Sequence, residues 1–330
     1  MRCNTSLLAT LPLALLLGCP AEGLIVVGDE LPGALLSVRG AAEDDVWMCG
    51  ADGGDGPALL HWDGSAWERF DTSGFAGVDL WWLHVGGTRV TAVGTGGTIV
   101  ALDRTSGDIT DLGGPGGDGI FFGVWGPSED DLWAVGGDPA GASMPLLWRD
   151  TGSGWADALG GLGEVGQTYF KVHGSGSEAV IVGSGGLTLR NEGSGFALLD
   201  SPVSDSLLTV DVGAEQTVAV GGAGNGLALH LEDGAWVDRS PEFQPAINGV
   251  CSGGGGLRAV GARDTLHTWA DGAWTSPEPG ELPTNLALDY HACWIGPGGT
   301  FWGVGGDLIR LERGFVVREG RGSVADLSSP

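Results

Sequence analysis

The chain has 330 residues, with 42 acidic against 15 basic side chains and a formal net charge of −27. A surface this acidic repels phosphate backbones, so the composition argues against nucleic-acid binding. Glycine accounts for 64 residues, yet 42% of the chain is apolar, and the glycines recur at fixed phases between apolar runs. This pattern indicates a folded protein with many tight turns rather than a disordered chain.

The first 19 residues have the form of a bacterial lipoprotein signal. Arg2 gives a positive start, an apolar stretch of residues 7–17 follows, and Leu16-Leu17-Gly18-Cys19 matches a lipobox, in which the cysteine thiol is lipidated before cleavage. The apolar stretch is too short to span a membrane. We expect residues 1–18 to be a signal peptide and Cys19 to be the lipid attachment site. An ordinary signal peptide that happens to contain a cysteine is the alternative.

A short β-type run that ends in Val-Gly or a close variant occurs seven times along the chain. The glycines that end these runs lie 38 to 47 residues apart: Gly50, Gly94, Gly136, Gly183, Gly221, Gly261 and Gly305. A period in the low forties with about four short strands per period is typical of propeller blades. The sequence therefore predicts an all-β fold, a single seven-bladed β-propeller with four antiparallel strands per blade over residues 34–320.

The first repeat shows how the four strands, a to d, are assigned. We predict strand a at residues 35–40, strand b at 46–50, strand c at 59–62 and strand d at 67–70, with an Asp63-Gly64 hairpin turn. Strand d carries charges and is expected at the outer edge, which leaves strand a along the central channel.

An aromatic residue begins strand d in six of the repeats and is expected to pack between neighbouring blades: Trp67, Trp155, Phe196, Trp236, Trp274 and Phe315. In the last repeat this assignment makes residues 309–311 strand c and residues 315–318 strand d.

Two phrases, Glu129-Asp130-Asp131-Leu132-Trp133-Ala134-Val135-Gly136 and Leu60-His61-Trp62-Asp63-Gly64-Ser65-Ala66-Trp67, resemble the repeat of secreted bacterial β-propeller lipoproteins. The consensus of that repeat runs roughly D-V-W-A-V-G…L-H-W-D-G-x-W, and the resemblance covers about residues 35–320. The chain is also distantly similar to the photosystem II assembly propeller and to the barrel-assembly lipoprotein of the outer membrane. These similarities imply a protein-binding scaffold, although the basic patch of the photosystem factor is not evident here.

One position near the end of each a strand is expected to line the channel. The candidates are Arg39, His84, Trp125, His173, Asp211, Cys251 and, in the last blade, Cys293 or Trp294. Histidine, aspartate and cysteine together could bind a transition metal. However, no C-x-x-C or H-E-x-x-H spacing, nucleophile elbow or Walker loop is present. We therefore predict polar groups that satisfy one another, with no metal, cofactor or catalytic residue.

The cysteines that follow the signal have different predicted roles. Cys49 stands where the other repeats have valine, and we expect a small buried apolar residue. Cys251 and Cys293 lie 42 residues apart on adjacent a strands, and an oxidising compartment permits a disulfide between them. The bridge requires a short distance between the two strands, so a disulfide and two free thiols both remain open.

The segment Leu24-Ile25-Val26-Val27 is too apolar to be a free tether. We predict that it pairs as a strand beside residues 315–318 and closes the ring; a strand resting on the outside of the first blade is the alternative. The chain is thus divided into a signal peptide (1–18), a lipidated tether with the closing strand (19–33), the propeller (34–320) and a tail (321–330).

Taken together, these features predict a lipid-anchored protein of the bacterial cell envelope, most simply at the outer membrane or cell surface. We favour a module that binds an envelope or extracellular protein or glycan, with the lipid at Cys19 as its membrane contact. A glycan-active enzyme that uses the mouth of the propeller channel is the alternative.

Overall fold

The computed structural model describes residues 23–138, 145–160, 162, 167–191, 193, 195–242, 244–254, 256–277, 288–320 and 327. The predicted signal peptide and Cys19 lie outside these residues. The described residues form 28 strands, arranged as seven four-stranded antiparallel sheets. Short 3-10 turns such as Ser73–Phe75 and Ser184–Gly186 are present, and no α-helix occurs in this part of the chain. The predicted seven-bladed β-propeller is confirmed.

Blades 1 to 6 each use four consecutive strands, in the order a, b, c, d from the channel outward. Blade 1 has β2 Leu35–Ala42, β3 Asp45–Asp52, β4 Pro57–Trp62 and β5 Trp67–Arg69. Blade 2 has β6 Leu80–Val85, β7 Arg89–Gly94, β8 Ile99–Asp103 and β9 Ile109–Asp111. Blade 3 has β10 Ile120–Ser128, β11 Asp131–Gly137, β12 Leu146–Asp150 and β13 Trp155–Asp157.

The second half of the ring continues the pattern. Blade 4 has β14 Tyr169–Ser175, β15 Glu178–Gly183, β16 Thr188–Asn191 and β17 Phe196–Leu198. Blade 5 has β18 Leu207–Val212, β19 Thr217–Gly221, β20 Leu227–Glu232 and β21 Ala235–Asp238. Blade 6 has β22 Ile247–Gly253, β23 Gly256–Gly261, β24 Leu266–Ala270 and β25 Ala273–Thr275. Blade 7 has β26 Asp289–Ile295, β27 Phe301–Asp307, β28 Glu312–Gly320 and, as its outer strand, β1 Gly23–Gly33.

Strand β1 closes the ring, as the apolar segment at residues 24–27 predicts. It runs antiparallel to β28, with Leu24 opposite Glu319 and Val26 opposite Val317. Val27 points into the core and is only 4% exposed. The first strand of the chain is therefore hydrogen-bonded to the last, so the seam between the chain ends lies inside one sheet.

The strand assignment within the last repeat was wrong. Residues 308–311 form a turn rather than strand c, and the side chain of Ile309 is 92% exposed. Strand β28 takes the third position, and β1 supplies the fourth. Phe315 therefore does not begin an outer strand: it is fully buried and packs edge-on against Tyr290, with ring centroids 5.0 Å apart. The repeats supply three strands of this blade, not four.

The glycine that ends each repeated phrase is required by a close approach of two strands. Gly136 lies opposite Phe121, and Gly305 lies opposite Tyr290, at the start of strand a of their blades. A Cβ on Gly136 would overlap the carbonyl oxygen of the residue before Phe121, and the same holds at Gly305. The other five repeats show the same overlap at Gly50, Gly94, Gly183, Gly221 and Gly261. Steric contact thus explains the repeated glycine.

The aromatic residues that begin the outer strands pack against the preceding blade, as predicted. Trp67 of blade 1 meets Trp302 of blade 7 edge-on, with ring centroids 5.9 Å apart. The indole N–H of Trp236 in blade 5 donates to the hydroxyl of Thr188 in blade 4 at 3.1 Å. These contacts are architectural, and they hold neighbouring blades together around the channel.

Candidate binding site in the central channel

The pairing of strands a and b places one residue of each blade at the same height in the channel. These seven residues, here called the channel ring, are Arg39, His84, Trp125, His173, Asp211, Cys251 and Trp294, opposite Trp47, Thr91, Trp133, Val180, Val218, Arg258 and Trp302. In blade 7 the ring position belongs to Trp294, and Cys293 precedes it by one residue. The register thus decides between the two candidates that the sequence left open.

All seven members of the channel ring line one cavity of about 670 Å³. Further wall residues come from the turn between β18 and β19, including Glu215 and Gln216, and from Ser252 and Trp269. Since the cavity is bordered by turns that join strand a to strand b, its mouth opens on the face of the disc where the a strands end.

A lysine and a tryptophan occupy the next layer of the channel below the ring. Lys171, the only lysine in the chain, is 3% exposed, and its ammonium group lies 3.2 Å from the centre of the Trp82 ring. Its Nζ donates to the carbonyl oxygen of Phe122 at 2.8 Å. A Cβ on Gly123 of the intervening blade would lie 3.1 Å from the Lys171 Cα, so glycine at this position allows the backbone that carries Lys171 to approach β10 closely. Lys171 and Trp82 therefore form the floor beneath the ring.

The cation on this floor is electrostatically unusual. Burial lowers the pKa of Lys171 well below its ordinary value, and the nearby positive charge of Arg39 lowers it further. Arg39 stacks on the same Trp82 ring, with its Cζ 4.6 Å from the centroid. Sequence reasoning missed Lys171, although its status as the sole lysine was a visible signal.

His173, Asp211 and Ser252 lie together on one side of the channel ring. The backbone N–H of Val212 donates to Nδ1 of His173 at 2.9 Å, so the neutral ring carries its proton on Nε2. The Ser252 hydroxyl donates to one oxygen of Asp211, and the other oxygen lies 3.5 Å from Nδ1 of His173. Burial lowers the pKa of His173 to about 4.

This group differs in order from a serine protease triad. In such a triad the histidine lies between the serine and the carboxylate and takes the hydroxyl proton. Here the carboxylate of Asp211 lies between Ser252 and His173, so the histidine has no route to the serine proton. The geometry presents fixed hydrogen-bonding groups rather than an activated nucleophile.

The opposite side of the ring holds Arg39 and His84. Nη1 of Arg39 donates to the carbonyl oxygen of Cys293 at 3.0 Å, while Nη2 is enclosed and has no partner among the described residues. Burial lowers the pKa of this guanidinium. Burial also lowers the pKa of His84 to about 4, and repulsion by the positive form of His173 adds to the effect. Both ring histidines are therefore neutral at pH 7.

Two tryptophans of the channel ring lie across glycines of the next blade. The six-membered ring of Trp294 in blade 7 faces Gly40 in blade 1, where a Cβ would lie 2.7 Å from Cη2 of the indole. Trp125 in blade 3 lies in the same way across Gly174 in blade 4, where a Cβ would overlap the ring. Glycine at these two positions therefore lets each indole lie against the channel wall.

Cys251 and Cys293 form a disulfide with Cα atoms 5.7 Å apart. The bond joins β22 and β26, the innermost strands of blades 6 and 7. Cys49 is a free, buried cysteine, and its Sγ lies 3.4 Å from the carbonyl oxygen of Leu80. Burial raises the pKa of this thiol. The disulfide makes one wall of the cavity part of a covalent link between blades.

No group of three or more His, Cys, Asp or Glu side chains is arranged to hold a metal ion in the part of the chain that the structure describes. Nor does any helix among the residues described combine the length and apolar character needed to cross a membrane.

Comparison with known proteins supports the fold. No protein-family model and no curated protein sequence matches the chain. A structure of YCF48 bound to a D1 peptide is similar, with 13% identity, a TM-score of 0.67 and coverage of 93% of this chain and 97% of that one. The WD40 domain of Neurospora crassa Pan2 (10% identity, TM-score 0.63, coverage 92% and 98%) and the WD40 β-propeller domain of Doa1 (11%, 0.64, 91% and 98%) are also similar. At these identities the likeness shows the propeller fold alone.

Proposed function

We propose that this protein is a lipid-anchored binding module of the bacterial cell envelope that holds a partner protein or glycan at the mouth of its central channel. The observation that carries the proposal is the channel ring, since one side chain from every blade converges on a single cavity. Aromatic surfaces with a few well-placed polar groups in a concave site are typical of ligand pockets. The lipoprotein repeat that the sequence resembles agrees with this role.

The arrangement of the polar groups favours binding over the alternative of a glycan-active enzyme. Hydrolysis of a glycosidic bond commonly needs two carboxyl groups on opposite sides of the bond. Asp211 is the one carboxylate in the channel ring, and it is hydrogen-bonded to Ser252. Glu215 and Asp271 also line the cavity, but both lie on turns at the mouth. The ring therefore offers contacts that orient a ligand.

One of the similar structures agrees with a binding role. The YCF48 structure contains a bound D1 peptide, so a propeller of similar fold can bind a peptide. Because this chain carries a net charge of −27, we expect its partner to be neutral or basic overall.

The described part of the chain starts on the face of the disc that carries the cavity mouth. Ile25 pairs with Arg318, which pairs with Trp302, which pairs with the ring residue Trp294. Strand β1 therefore begins at Gly23 on the mouth side of the ring. Cys19 precedes Gly23 by four residues, a reach of at most about 14 Å. A lipid on Cys19 would hold the mouth close to the membrane, where an envelope partner is available.

The proposal is tested by affinity capture from envelope fractions with non-lipidated residues 20–330 as bait. Trp125→Ala in the channel ring should abolish capture of the partner. Trp155→Ala removes a tryptophan from the outer strand of the same blade and serves as the matched control, which should capture normally. A partner that is retained equally by both variants would place binding elsewhere on the disc.

A further inference from the structure

We infer that the cavity of the channel ring binds an uncharged saccharide, with a sugar face stacked on Trp125 or Trp294 and hydroxyl groups bonded to the ring histidines. The inference rests on the proposed function and names the ligand class for the same site. It is carried by three properties of the wall: its aromatic surfaces, its neutral hydrogen-bonding groups and the placement of its charges.

The aromatic surfaces are part of the way the wall is built. Four tryptophans line the cavity: Trp82 at the floor, and Trp125, Trp269 and Trp294 along the sides. Trp125 and Trp294 remain partly exposed, unlike Trp82. Gly174 and Gly40 allow these two rings to lie against the inner wall. An indole with a polar surrounding suits a ligand that has both apolar C–H faces and hydroxyl groups.

The wall includes several neutral hydrogen-bonding groups. Neither imidazole nitrogen of His84 has a hydrogen-bond partner among the described residues. The neutral imidazole therefore offers one donor and one acceptor to a ligand. Nδ1 of His173 accepts a hydrogen bond from the Val212 N–H, and Nε2–H remains as a donor. Gln216 adds an amide at the mouth. Paired donors and acceptors of this kind match hydroxyl groups, which both donate and accept.

The charges of the wall disfavour an acidic ligand throughout the cavity and a cation at its floor. The carboxylates of Asp211, Glu215 and Asp271 face the cavity against the single guanidinium of Arg39, which disfavours an acidic ligand. A cation is disfavoured at the floor, because Arg39 and Lys171 already occupy the Trp82 ring. An uncharged polyhydroxylated ligand avoids both forms of repulsion.

A binding panel tests the inference with the protein as residues 20–330. The probes are neutral oligosaccharides of glucose and of N-acetylglucosamine, a uronic-acid oligosaccharide and a basic peptide, followed by calorimetry and by tryptophan fluorescence. We expect binding of a neutral oligosaccharide with a fluorescence change. Trp125→Ala should weaken this binding about tenfold or more, as loss of one stacking contact worth about 1.4 kcal/mol predicts. His84→Gln, which keeps a donor and an acceptor, should weaken it less than His84→Ala.

The controls separate the ligand class from the site. Trp155→Ala should leave affinity unchanged, and circular dichroism with a thermal melt should show that each variant is folded. If Trp125→Ala does not fold, Trp125→Phe replaces it and should retain measurable but weaker binding. If only the uronate or only the peptide binds, and Trp125→Ala abolishes that binding, the assignment of an uncharged saccharide is wrong. The proposed function, binding at the channel mouth, would still stand. If a neutral saccharide binds but no channel-ring variant changes its affinity, the binding site lies outside the cavity. If no neutral saccharide of the panel binds, the inference is wrong.

Discussion

Removal of residues 20–28 should destabilise the propeller, because residues 23–28 form the first part of the outer strand of blade 7. The deletion exposes β28 and removes the buried side chain of Val27 together with the half-buried Leu24 and Ile25. Full burial of an aliphatic side chain stabilises a fold by about 1.5–3 kcal/mol. One buried and two half-buried side chains therefore amount to about 4 kcal/mol.

For a chain of this length, each kcal/mol corresponds to about 2 °C in Tm, so the deletion should lower Tm by about 8 °C. Differential scanning calorimetry of residues 20–330 and 29–330 gives the comparison. A synthetic peptide of residues 20–33, added in excess, should restore part of the lost stability to the shortened chain, since it can occupy the open edge of β28.

Two neighbouring valines provide a point-mutant version of this test. Val27 is 4% exposed and Val26 is 41% exposed, on opposite faces of the same strand. Val27→Ala removes two buried methyl groups and should cost about 2 kcal/mol, whereas Val26→Ala should change stability by less than about 0.5 kcal/mol. An unchanged melt after the deletion, or equal effects of the two valines, would refute closure of the ring by β1.

The remaining predictions concern the anchor, the floor of the channel, the disulfide and pH. Cys19→Ser should abolish incorporation of radiolabelled palmitate, and equal labelling of the variant would exclude lipidation at this residue. Lys171 is buried beneath the channel ring, so an amine-reactive ester should acylate it only after unfolding, as mass spectrometry can show; rapid acylation of the native protein would contradict the closed floor. Cys251→Ala opens a 42-residue link between blades 6 and 7 and should cost about 2–4 kcal/mol in denaturant melts; wild-type stability would contradict the bond. Burial holds the pKa of both ring histidines at about 4, against about 6.5 in an unfolded chain. The unfolded state binds more protons between these values, so Tm should be highest above pH 6.5 and fall towards pH 4; replacing both with glutamine should flatten this slope, and an unaltered slope would argue against buried neutral histidines.

The propeller could be predicted because its repeat has a steric cause that shows in the sequence. Each phrase ends in a glycine at which a Cβ would overlap the backbone of strand a, so the spacing of residues such as Gly136 and Gly305 reports the spacing of the blades. The strand order of the seventh blade was harder to predict, since the strand that completes this blade comes from the other end of the chain. The apolar segment at residues 24–27 indicated the closure, but the sequence did not show that β28 takes the third position.

The channel ring could be predicted from the sequence because strand a is innermost and its side chains alternate between its two faces. Equivalent positions in the repeats, such as Arg39 and His84, therefore lie at one height in the channel. The layer beneath the channel ring, formed by Lys171 and Trp82, could not be predicted from the sequence. Every a strand contains a register shift near its start, as between Tyr169 and Lys171, and this irregularity decides which side chains reach the channel. In every blade the shift lies opposite the repeated glycine, but the repeated phrase does not itself show that strand a has an extra residue there. Lys171 was therefore missed.

Site-specific photocrosslinking in intact cells tests the central claim that the mouth of the channel is the binding surface. A benzophenone amino acid at Ala214, on the exposed turn between β18 and β19 that borders the cavity, should crosslink to the partner. The same group at Ala223, on the exposed turn between β19 and β20 of the same blade, lies on the opposite face of the disc and should not. Crosslinking at Ala223 in preference to Ala214 would contradict the account.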